Sequence, residues 1–111
     1  VAKFHIIVDF YGANPTTLAK CDELKTALLR ACKSVGVNVD TETFYQFQPE
    51  GVTATVTSPE MHFNIHTWPE FGSCAIDLYS RHDHDFAARL CEAFKQELQA
   101  SEYDMKMLSR V

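Results

Sequence analysis

The densest run of chemically able side chains is Glu60-Met61-His62-Phe63-Asn64-Ile65-His66-Thr67-Trp68-Pro69-Glu70. On an extended strand His62, Asn64, His66 and Trp68 share one face, because successive side chains alternate. Two imidazoles, an amide and an indole on one surface suit a pocket for a polar ligand. Histidines on one strand face are also candidate metal ligands, His62 and His66 being four positions apart. A hydrogen-bonded polar sheet face would account for the same residues with no ligand at all. The four cysteines, Cys21, Cys32, Cys74 and Cys91, form no C-x-x-C pair. Three of them fall on apolar stripes of candidate helices, so they read as small buried hydrophobes, with no metal site and no disulfide framework. Free thiols fit a reducing, cytoplasmic setting.

The elements that must position this run follow from periodicity. Residues 3–11 alternate, with Phe4, Ile6, Val8 and Phe10 on one side, as a strand does. Gly12-Ala13-Asn14-Pro15 reads as a turn into a helix, with Asn14 as N-cap and Pro15 at the first helical position. Leu18, Cys21, Leu24, Leu28, Cys32 and Val35 then recur at helical spacing up to Gly36. Strands are expected over Val37 to Phe47, Val52 to Thr57, Met61 to Trp68 and Ser73 to Arg81. The polar corner His82-Asp83-His84-Asp85 can cap a second long helix carrying Phe86, Ala87, Leu90, Cys91, Phe94 and Leu98. Tyr103 to Val111 is a candidate last strand. The order β-α-β-β-β-β-α-β, with short turns between strands, predicts an α+β two-layer sandwich: an antiparallel sheet with two helices on one face. Ile7, Phe44, Trp68 and Tyr79 are expected on the open face, and an open apolar face suggests a homodimer.

The chain of 111 residues is read as one domain, 1–111. Apolar residues make up 46% and charged residues 23%, which excludes a disordered chain. The net charge of −5 argues against nucleic-acid or anionic-membrane partners. No apolar run approaches a membrane helix, and no signal peptide opens the sequence.

The run His66-Thr67-Trp68-Pro69-Glu70-Phe71-Gly72, followed by Ala75-Ile76-Asp77-Leu78-Tyr79, resembles the signature of the short prokaryotic S-adenosylmethionine decarboxylases. Val8-Asp9-Phe10-Tyr11-Gly12 resembles that family's first strand and turn. Phe44 to Thr53 resembles its central hairpin. The resemblance implies a decarboxylase-like sandwich that dimerises, S-adenosylmethionine as ligand, and a place in polyamine (spermidine) biosynthesis. It also implies a pyruvoyl group, made when a serine hydroxyl attacks the preceding carbonyl and the resulting ester eliminates. The ketone then serves as electron sink. On the same resemblance, His66 and Thr53 assist processing and Phe47 stacks on adenine. Glu60, His62, Trp68, Glu70 and Asp77 are further candidate substrate-binding residues.

Two positions depart from the pattern. Met61 stands where the family has the self-cleaving serine, and Arg81 stands where it has the acid cysteine. Methionine has no nucleophile and arginine is a poor proton donor. Ser58 is the nearby hydroxyl, but its offset of three residues is expected to turn it to the other sheet face. The expectation from sequence is therefore a chain with no cofactor, which binds S-adenosylmethionine without forming a pyruvoyl group. It would be a lyase releasing methylthioadenosine and homoserine lactone, or else a non-catalytic regulatory partner of an active paralogue. A processing-blocked form of an ordinary decarboxylase is a further reading, against which Arg81 speaks. A relative acting on ornithine or arginine also stays open.

Overall fold

The computed structural model describes residues 3–110. Its strands are β1 Phe4–Tyr11, β2 Thr41–Gln46, β3 Val52–Thr57, β4 Met61–Trp68, β5 Ser73–Ser80 and β6 Glu102–Ser109. They form a six-stranded sheet in the order β2-β3-β4-β5-β1-β6, and every pair is antiparallel. Helices α1 Pro15–Ala19, α2 Cys21–Ser34 and α3 His84–Leu98 complete the chain. The expected α+β sandwich is the observed one. Val111, counted in the expected last strand, lies outside the described residues.

The core follows from the alternation. Ile6, Val8 and Phe10 of β1, Phe63 and Ile65 of β4, and Ile76 and Leu78 of β5 are buried beneath Leu24 and Leu28 of α2 and Leu90 and Phe94 of α3. The Phe94 ring meets Phe63 edge-on at 5.2 Å and Phe10 at 6.3 Å. Burial of such a ring contributes about 1.5–3 kcal/mol, so Phe94 is a principal tie between helix and sheet. Asn14 and Asp83 cap α1 and α3, their side-chain oxygens accepting from the Thr16 and Phe86 amides.

Three expectations need correction. The single helix from Pro15 onward is broken at Lys20, which is extended (φ −125°, ψ 147°). The side-chain amide of Gln46 sits in the break. Its Oε1 accepts from the Cys21 amide at 2.8 Å, and its Nε2 donates to the Ala19 and Gly51 carbonyls at 2.9 and 3.0 Å. A remote amide replaces the helical bonds that the break removes, so helical spacing of apolar residues could not reveal it. Second, the expected strand from Val37 to Phe47 shortens to Thr41–Gln46, because the Val37 amide is drawn back to the Cys32 carbonyl and Phe47 closes the hairpin onto Gly51. Third, Phe44 is not on the open face. It pairs with buried Ala54, directly opposite residues share a face, and Phe44 packs on the core.

Candidate functional site

The helices cover one sheet face, and the polar residues of β4 stand on the other. His62, Asn64 and His66 pair with Thr57, Thr55 and Thr53 of β3 and with Tyr79, Asp77 and Ala75 of β5. The shared face read from the sequence is therefore observed. His66 Nδ1 lies 3.0 Å from the Thr53 hydroxyl. If the hydroxyl donates, Nδ1 is the acceptor and the ring proton sits on Nε2. The Thr55 hydroxyl donates to Asn64 Oδ1 at 2.7 Å. Beyond His66 the Trp68 ring lies 6.4 Å away, and Tyr45 and Phe47 meet edge-on at 4.8 Å nearby in the β2 hairpin. Tyr45 is 61% exposed, Phe47 47% and Trp68 43%, an aromatic rim with open ring faces. Glu70 lies just past Trp68 in a short 3-10 turn, Pro69–Phe71.

The far end of the same face is built differently. The Tyr79 ring is stacked between His62 at 4.9 Å and His5 at 4.3 Å. Asp77 Oδ1 approaches His5 Nε2 at 3.6 Å, beyond hydrogen-bond distance, and that buried nitrogen has no hydrogen-bond partner. His5 and Tyr79 were not read as site residues from the sequence. The alternation of β1 did put His5 on the open face, and only pairing with β5 brings it to Asp77. The other candidate ligand, metal, has less to hold it: among the described residues no three His, Cys, Asp or Glu side chains cluster suitably. Three of the four thiols are buried away from position 81's polar surroundings and stay protonated. Burial pushes Cys32 up to about 11 and Cys74 and Cys91 up to about 12.

Met61 and His66 are not brought together. They are five positions apart on one strand, so they point to opposite faces and stand about 16 Å apart along it. Met61 is buried on the core side. Around it, a cavity of about 160 Å³ is lined by Ser58, Glu60, Met61, His62, Tyr79 and Arg81. A second cavity of about 320 Å³ shares Ser58, Glu60 and Met61 and extends to Asn38, His82 and Arg89. The Glu60 carboxylate and His82 Nε2 are in close contact at this wall, and the Arg81 amide donates to the Glu60 carbonyl. The candidate residues thus divide between two stations. Thr53, His66, Phe47, Trp68 and Glu70 belong to one, and Glu60, Met61, His62 and Arg81 to the other, with Asp77 between them.

Ser58 requires a correction. It does not turn to the opposite side from Met61. Its hydroxyl donates to the Met61 carbonyl at 3.0 Å and accepts from the Met61 amide at 3.2 Å. The β3–β4 turn separates the two residues, and strand parity does not carry across a turn.

A profile described as S-adenosylmethionine decarboxylase matches residues 4–111. The chain is 31% identical over 106 residues to the S-adenosylmethionine decarboxylase proenzyme of Parasynechococcus marenigrum (strain WH8102), covering 96% of this chain and 83% of that protein. The Aquifex aeolicus (strain VF5) proenzyme is also 31% identical over 106 residues, covering 96% and 78%. The Acidithiobacillus ferrooxidans (strain ATCC 53993 / BNL-5-31) proenzyme is 39% identical over 75 residues, covering 68% and 56%. The crystal structure of the adenosylmethionine decarboxylase from Aquifex aeolicus superposes with a TM-score of 0.86 at 29% identity, over 98% of this chain and 90% of that one. The Trypanosoma brucei AdoMetDC-delta26 monomer shares the fold at a TM-score of 0.63 and 15% identity, over 93% and 44%.

These likenesses overturn one expectation. The absence of a cofactor was argued from Met61, with Arg81 as a second departure and Ser58 set aside, yet the relatives are proenzymes of a pyruvoyl-dependent family, and neither the fold nor the site gives a positive sign that the group has been lost. A pyruvoyl group needs a β-carbon bearing a leaving group. Met61 has none, but the Ser58 hydroxyl in contact with it does, so the residues present fit the group at that turn. From residue 4 to its end, the chain belongs to the S-adenosylmethionine decarboxylase family.

Proposed function

We propose that this chain, acting as one domain over 1–111, is a lyase whose substrate is S-adenosylmethionine. The observation that carries the reading is the Thr53–His66 pair, 3.0 Å apart and rimmed by Phe47, Tyr45 and Trp68. The substrate carries an adenine, a sulfonium and an α-amino acid. Open aromatic faces suit both the adenine and the cation, and Phe47 is the residue assigned to the adenine. At the other station Arg81, level with Glu60 and so roughly 26 Å along β4 from the Trp68 level at which Phe47 stands, offers a guanidinium that can clamp the carboxylate of a molecule bound at its own end through paired N–H donors. Asp77 and Glu60 are carboxylates for the ammonium. A pyruvoyl group would supply the electron sink for loss of the carboxylate. His66, held by Thr53 in one tautomer and about 16 Å along β4 from Met61, can move a proton for the part of the substrate that the aromatic rim holds.

A second reading, cleavage of the C–S bond instead of decarboxylation, is favoured by Arg81. A clamped carboxylate attacks the γ-carbon, expels methylthioadenosine and closes homoserine lactone, with no change in oxidation state and no added proton donor. Binding without either reaction is the mark of a regulatory partner. The exposed rings Tyr45, Phe47, Trp68 and Phe71 support a homodimer, and the free thiols support a cytoplasmic setting.

The test is calorimetric titration of the full chain with S-adenosylmethionine. Saturable binding is expected. Phe47→Ala should raise Kd about tenfold, the equivalent of ~1.4 kcal/mol. Binding unaffected by Phe47→Ala would overturn the placement of the adenine, and no binding would overturn the reading.

A further inference from the structure

We infer that Ser58 is the residue from which this chain makes its pyruvoyl group, by cleaving itself between Thr57 and Ser58; the inference rests on the family reading above. Only three polar residues among those described are buried: Ser58, Thr67 and Ser80. The Thr67 hydroxyl is occupied in joining the sheet to α1, donating to the Leu18 carbonyl and accepting from the Val52 amide, both at 2.9 Å. Ser80 is fully enclosed and accepts from the His82 amide. Ser58 alone of the three borders both cavities at the Met61 end, and its hydroxyl, like that of Thr67, is engaged, so it must leave the Met61 carbonyl to attack.

The bond to be broken has a hydrogen-bond donor on its carbonyl oxygen. The Thr57 carbonyl oxygen accepts from the Asp40 amide at 2.8 Å. That donor polarises the carbonyl and can hold the oxyanion that forms when the adjacent hydroxyl attacks. Glu60 and His82, paired on the wall of the larger cavity, are the acid–base groups on hand for the proton transfers. The location also spares the fold. β3 ends at Thr57 and β4 begins at Met61, so scission falls in the turn and leaves both strands in the sheet.

The steps balance. The Ser58 hydroxyl adds to the Thr57 carbonyl carbon, the C–N bond to Ser58 breaks, and its nitrogen takes the hydroxyl proton, leaving an ester. Removal of the Ser58 α-proton expels the Thr57 carboxylate and leaves a dehydroalanine. This tautomerises to an imine, which one water hydrolyses to the ketone with release of one ammonia. No oxidant or reductant is consumed.

The test is intact mass and gel analysis of the purified full chain. The expected result is two fragments, residues 1–57 with a free carboxylate and residues 58–111 with a blocked amino end that takes up label from borotritide. Ser58→Ala should abolish both scission and labelling while keeping the circular dichroism of the parent. Should that variant fail to fold, hydroxylamine gives the same answer on the unmodified chain, by trapping the ester as a hydroxamate on Thr57. A single unlabelled chain, or a junction between Glu60 and Met61, overturns the inference. The family reading fails separately. An intact chain that binds S-adenosylmethionine sinks only Ser58, and a chain cleaved at Ser58 that does not bind sinks only the ligand.

Discussion

At the scale of single residues, His66 depends on its neighbour across the strands. Residues paired directly on one sheet face lie close enough to exchange a side-chain bond, and Thr53 meets His66 in that way. If Thr53 fixes the imidazole tautomer, its methyl group is incidental and its hydroxyl is not. Thr53→Ser should therefore keep turnover of S-adenosylmethionine within about twofold, while Thr53→Val should lower it on the order of tenfold, the loss of one positioning hydrogen bond. His66→Ala removes the proton-moving group and should cost on the order of a hundredfold or more in kcat. Steady-state rates of the three variants check the order. Equal rates for Thr53→Val and Thr53→Ser would detach the hydroxyl from the chemistry. Arg81 belongs to the same scale. Arg81→Lys keeps the charge but loses the fork, so KM should rise several-fold where a carboxylate is held by two donors.

At the scale of elements, most of the architecture was legible because each strand and long helix carries its own period. The alternation of Met61 to Trp68 set the shared face of His62, Asn64 and His66 before any pairing was known. What was not legible depended on contacts remote in sequence. The break at Lys20 exists because Gln46, on another element, supplies the bonds that the helix lacks there. Phe44 went to the core because its register with Ala54 was settled by the hairpin at Pro49 to Gly51. Ser58 turned toward Met61 because a turn resets strand parity. The site was read in part for the same reason. The motif residues stood in sequence, whereas His5, Tyr45, Tyr79 and His82 reach it only through strand pairing and the β5–α3 corner. The α1–α2 junction yields a prediction at this scale. Gln46→Ala should leave the Cys21 amide and the Ala19 carbonyl short of a partner and cost about 1–3 kcal/mol. Urea denaturation should show a lower midpoint with an unchanged slope. A change below about 0.3 kcal/mol would mean that water takes over the role of the amide.

At the scale of the whole molecule, the two stations, whose Met61 and His66 stand about 16 Å apart along β4, and the buried thiols are the features that set behaviour. Cys32, Cys74 and Cys91 have their pKa raised by burial, from 9.0 to about 11, 12 and 12. A thiol with a raised pKa in the folded state contributes stability that is fully present below its unfolded value. That stability is lost as pH rises toward the folded one. Thermal stability should therefore fall between about pH 9 and 12, and replacing Cys74 by Ala should flatten that fall. A Tm that is flat across this window would contradict the burial-driven shift. Below pH 9 these three thiols should react with an aromatic disulfide only on unfolding, with partly exposed Cys21 reacting first.

The measurement that bears most directly on the whole account is product analysis with S-adenosylmethionine labelled separately in its carboxyl and methyl groups, using the full chain and His66→Ala in parallel. The account predicts labelled carbon dioxide or labelled methylthioadenosine formed in proportion to the protein and suppressed in the variant. Quantitative recovery of unchanged S-adenosylmethionine, with substrate bound, would contradict it.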